Sequence, residues 1–128
     1  MVYSCIGNNN ASKNFNLSSS LKSSVNKREY TSLIDRASNC DSIAFNNLLY
    51  YSINDGNIIE HSSVICRLIK TIGQERICYW IKCKIININD LSSVMMFSAY
   101  HVYTEEEFNI FLDKSFKFKC DSTKTILQ

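Results

Sequence analysis

The chain has 128 residues, with 45% hydrophobic and 20% charged residues and a formal net charge of +2. One ordinary domain with its own core fits that length, and wholesale disorder does not fit that composition. Proline is absent and glycine occurs only three times, which excludes collagen-like, proline-rich and glycine-rich linker readings. A net charge this small does not by itself point to a nucleic-acid partner.

The N-terminus lacks a basic run followed by an apolar stretch, so no secretory signal is expected. No stretch reaches the roughly 18 apolar residues that a membrane span requires. Cysteines stand at 5, 40, 66, 78, 83 and 120. Without a signal peptide they read as reduced thiols, most of them packed as small apolar residues, in an intracellular, reducing setting. A structural zinc site uses close cysteine pairs; the nearest here, Cys78 and Cys83, is too wide and no second pair follows it. No metal or other cofactor is expected.

In chain order, residues 1–28 are polar and basic, with Lys13, Lys22, Lys27 and Arg28 and no acid. They read as a loosely ordered N-terminal arm, and the main domain is expected over 29–119. Tyr30 to Ile34 is short and β-prone, and Ile43 to Ile53 is rich in Leu, Tyr and Ile. Asn54-Asp55-Gly56 supplies residues that tolerate positive φ, and a second apolar run follows over 57–68. Asp-Gly between two β-prone runs is the strongest local hairpin signal in the chain. From Arg76 to Ile86, a period of two puts Trp80, Lys82 and Lys84 on one face of a fourth strand. A fifth strand is expected over Val94 to Tyr103.

Thr104 to Glu107 then forms a capping box, and Phe108, Phe111, Leu112 and Phe116 make an apolar stripe. This predicts a helix over 104–118, followed by a tail over 120–128. The expected fold class is therefore mainly β: a five-stranded OB-type barrel with a C-terminal α-helix.

Two stretches carry a family resemblance. Tyr51 to Glu60 resembles the hairpin between the second and third strands in the middle subunit of replication protein A. Ser93 to Asn109 resembles that family's last strand, acidic junction and C-terminal helix. The related Stn subunit of the telomeric CST complex has a similar junction. Such a resemblance implies an OB fold in a heterotrimer bound to single-stranded DNA, in the nucleus. Phe108, Phe111, Leu112 and Phe116 would face two other OB-fold subunits.

An aromatic ring interleaved with lysines is what a single-strand groove uses, through base stacking and phosphate contact. The candidate nucleic-acid residues are Arg36, His61, Trp80, Lys82 and Lys84. His61 is the sole ring in the regions where that family places stacking residues, which predicts weak intrinsic DNA binding and a mainly scaffolding role. With only two histidines, no Ser-His-Asp or Cys-His constellation can be assembled, so no catalytic residue, enzyme activity or small-molecule substrate is expected. A different reading is a viral or parasite protein–protein interaction adaptor with no nucleic-acid role. It would bind through an exposed helix or sheet edge.

Overall fold

A computed structural model of the chain describes residues 11–97. Two short 3-10 turns, Ala11–Phe15 and Asp55–Asn57, accompany six α-helices: α1 Ser19–Ser24, α2 Lys27–Ser38, α3 Ser42–Leu49, α4 Ile58–Ile72, α5 Gln74–Lys82 and α6 Ile88–Met95. No strand occurs among the described residues. The expected OB-type barrel is therefore incorrect, and with it the structural basis of the likeness to replication protein A. The predicted helix over 104–118, its stripe Phe108, Phe111, Leu112 and Phe116, and the tail over 120–128 lie outside the described residues.

Helical spacing explains why these segments coil. In α2 the buried residues include Tyr30, Leu33, Ile34 and Ala37, at i, i+3, i+4 and i+7. In α4, His61, Val64, Ile65, Leu68 and Ile69 repeat the same pattern. Both are the stripe of an amphipathic helix. The supposed fourth strand is α5, in which Ile77, Cys78 and Trp80 turn inward and Tyr79 stays half-exposed. Residues 80 and 82 are separated by about 200° around a helix of 3.6 residues per turn, so the strand face holding Trp80, Lys82 and Lys84 does not exist.

The Asn-Asp-Gly hairpin expectation fails for a related reason. Asp55–Asn57 is a 3-10 turn that runs directly into α4. Gly56 does not adopt positive φ; among the described glycines only Gly73 does, at 100° between α4 and α5.

The abundant Ser and Asn residues serve as helix caps. The Ser18 side chain accepts from the backbone N–H of Leu21, and that of Asn26 from the N–H of Glu29. Asp41 accepts from Ile43 and Ala44, and Asn87 from Asn89 and Asp90. Each such cap contributes about 0.5–2 kcal/mol by satisfying an otherwise orphaned backbone donor.

A single core joins the elements. It contains Leu21, Tyr30, Ile34, Phe45, Leu48, Ile65, Leu68, Ile69, Ile77, Trp80, Leu91 and Met95. Fully burying one Leu, Ile or Phe side chain contributes about 1.5–3 kcal/mol. The α2–α3 and α2–α4 contacts form one side of the body, and α5 and α6 pack against α4.

The N-terminal part of the described chain belongs to this body. Phe15 and Leu21 are buried in the core. Arg67 of α4 donates to the carbonyls of Phe15 (3.0 Å) and Asn14 (2.8 Å), and its guanidinium lies 4.4 Å from the Phe15 ring centre. Glu60 accepts from the backbone N–H of Ser18 at 2.7 Å and also from its hydroxyl. The boundary expected at residue 28 falls within the first turn of α2, which begins at Lys27.

Two cysteines also differ from expectation. Cys40 and Cys78 are each disulfide-bonded, while buried Cys66 and exposed Cys83 are not. No helix among the described residues is long and apolar enough to cross a membrane.

Candidate binding groove

The i, i+3, i+4, i+7 spacing of Glu29, Ser32, Leu33 and Arg36 gives α2 a second face, beside the buried one. The end of α3 contributes Asn47, Tyr50 and Tyr51. Together these seven residues line an open groove of about 480 Å³. Asp41 caps α3 and also pairs with Arg36 of α2.

Each polar group in the groove has a definable state. The Tyr51 hydroxyl donates to Glu29 at 2.9 Å. Partial burial and this hydrogen bond to a carboxylate both raise the phenol's pKa, so Tyr51 stays protonated. The Tyr50 hydroxyl donates to Asp90 of α6, which likewise holds its pKa up. Arg36 Nε donates to Asp41 at 3.1 Å. Burial opposes ionisation of Asp41, but the backbone N–H of Ala44 and the Arg36 guanidinium outweigh it and lower the carboxyl's pKa.

A column of rings runs from this groove into the core. The Tyr51 and Tyr30 rings meet edge to face, with centroids 5.2 Å apart at 82°. The Tyr30 hydroxyl is hydrogen-bonded to His61 Nδ1 at 2.7 Å. His61 is 1% exposed, and its Nε2 has no well-aligned partner. Burial pushes the imidazole pKa down to about 4, against a smaller opposing effect of the Leu48 backbone. Burial raises the pKa of Tyr30, with the nearby Glu60 charge adding to the effect. Both groups are neutral at pH 7 and shielded from solvent, so the pair ties α2 to α4 and is poorly placed for acid–base exchange with a substrate.

Of the residues predicted to contact nucleic acid, only Arg36 lines the groove, and it is paired with Asp41. His61 is buried, and Trp80 is 5% exposed and packs against Phe45 with ring centroids 5.9 Å apart. Both rings are turned into the core and not toward solvent. Lys82 ends α5, and Lys84 follows in a turn with φ 63°. Reading the chain as strands hid Asn47, Tyr50 and Tyr51. The available signal was the spacing of Ile43, Asn47 and Tyr50 at i, i+4 and i+7 beside an Asp cap.

No group of three metal-ligating side chains occurs among the described residues. Comparison with known protein families, curated proteins and solved structures finds no match for this chain.

Proposed function

We propose that this protein is a protein–protein interaction module that binds its partner in the groove between α2 and the end of α3. One observation carries this reading: the groove lies beside a helix face that leaves large apolar groups in water. Ile43 is 65% exposed and Tyr50 is 55% exposed, and they share that face with Asn47. Exposed aromatic and aliphatic side chains beside a concave surface are what partner recognition by helical domains uses. The two disulfide-bonded cysteines favour an oxidising compartment over the nucleus.

A random peptide library displayed on phage tests the reading. Selection on the full chain, with counter-selection on Ile43→Asp, is expected to enrich peptides that bind the parent protein alone. The result that overturns it is binding of labelled oligo-dT, weakening with salt and insensitive to Ile43→Asp, with no peptide enriched.

A further inference from the structure

The charges around the groove narrow the chemistry of the partner. Glu29 lies in its wall. Asp41 touches the wall through Arg36 and Asp90 through Tyr50, so three carboxylates and one guanidinium lie in or beside it. The Nε of that guanidinium is already engaged by Asp41, which leaves the rim net negative. Each of the two phenols, Tyr50 and Tyr51, donates its hydroxyl to one of these carboxylates. Those hydrogen bonds hold a carboxylate beside each phenol and so place negative charge near the rings. An aromatic face flanked by carboxylates attracts a cation by quadrupole and by Coulomb forces together.

The remaining free groups suit a peptide main chain. Neither the Ser32 hydroxyl nor the Asn47 amide takes part in a hydrogen bond among the described residues, and both line the groove. Asn47 supplies a donor and an acceptor, as a peptide unit requires. Ile43, one turn of α3 away, offers an apolar contact. The negative rim repels a phosphate backbone.

We infer that the groove takes a peptide segment bearing lysine or arginine. Its cation lies against Tyr50 and Tyr51 between Glu29 and Asp90, and an aliphatic neighbour lies on Ile43. This inference rests on the groove being a docking site, and the two fail in different ways.

The test is an NMR titration of the isotopically labelled full chain with three blocked hexapeptides. They share alternating leucines and carry lysine, glutamate or norleucine between them. The lysine peptide is expected to shift the amides of Ser32, Asn47, Tyr50 and Tyr51, with an affinity at least tenfold above that of the glutamate peptide. Glu29→Gln and Asp90→Asn each keep an oxygen that can accept from tyrosine, and each is expected to weaken the lysine peptide three- to tenfold. Equal binding of all three peptides at these amides, lost in Ile43→Asp, would overturn the cation preference and leave the docking reading in place. No shift at these amides with any peptide would overturn both. Displacement of the lysine peptide by oligo-dT bound at the same amides would also overturn the inference.

Discussion

The hydroxyl of Tyr30 and Nδ1 of His61 lie 2.7 Å apart inside the core, joining α2 to α4. Removing that hydroxyl leaves Nδ1 buried without its partner, which costs about 1–3 kcal/mol. Tyr30→Phe keeps the ring contact with Tyr51, so the lost hydrogen bond is isolated from packing. Urea denaturation followed by circular dichroism is expected to show a lower midpoint with an unchanged slope. An unaltered midpoint would mean that the bond contributes nothing net.

His61 makes stability depend on pH in a definite direction. Its pKa falls from 6.5 in the unfolded chain to about 4 in the folded protein. Between those values the unfolded state binds the extra proton, so stability is fully present above about pH 6.5 and is lost as pH falls toward 4. The loss approaches about 3 kcal/mol at 1.36 kcal/mol per pH unit. Denaturation midpoints at pH 7.5 and 4.5 check this. The pH slope of His61→Gln is expected to be smaller than that of the parent, and equal slopes would exclude the imidazole as its source.

Gly73 and Gly56 are expected to respond oppositely to alanine. Gly73 sits at φ 100° with open space around a built Cβ, so Gly73→Ala meets backbone strain without a clash. That strain costs about 1–3 kcal/mol. At Gly56 the nearest atom to a built Cβ is Asn54 Oδ1 at 3.8 Å, and φ is not positive. Gly56→Ala is therefore neutral or stabilises by up to about 1 kcal/mol through the unfolded state. A hairpin turn at Asp55-Gly56 would demand the reverse, so thermal melts of the two variants also test the fold.

The cysteines separate by reactivity. In unfolded, unreduced protein, a thiol reagent is expected to label Cys66 and Cys83 and to label Cys40 and Cys78 only after reduction. Peptide mass spectrometry reads this directly. Reduction is expected to lower stability, by about 2–4 kcal/mol for a typical disulfide. Labelling of Cys40 and Cys78 without reductant would restore the reduced-thiol reading.

Several features were legible from residues alone. Tyr30, Leu33, Ile34 and Ala37 carry a helical period, as do His61, Val64, Ile65 and Leu68. Ser18, Asn26, Asp41 and Asn87 stand where caps stand. β-prone composition over 30–68 and a period of two over 76–86 both pointed to strands. In the dense apolar run over 76–86, periods of 2 and 3.6 match almost equally well. Asp55-Gly56 misled because one dipeptide serves both a tight turn and a helix entry. The groove was half legible: Arg36 was singled out, but its pairing with Asp41 and its neighbours Asn47, Tyr50 and Tyr51 require α2 and α3 to be helices in contact.

By itself the sequence determined one proline-free domain with a large apolar fraction, capable residues at its helix starts, and glycine where the chain turns sharply between α4 and α5. Those properties are local, set by side-chain type and spacing. Tertiary structure decided which rings face inward, burying Trp80 and His61 and leaving Ile43 and Tyr50 in water. It also set the groove's charge, because Asp90 reaches Tyr50 across 40 residues of chain. Burial and long-range pairing depend on how helices pack against one another, and no local pattern in the chain specifies that packing.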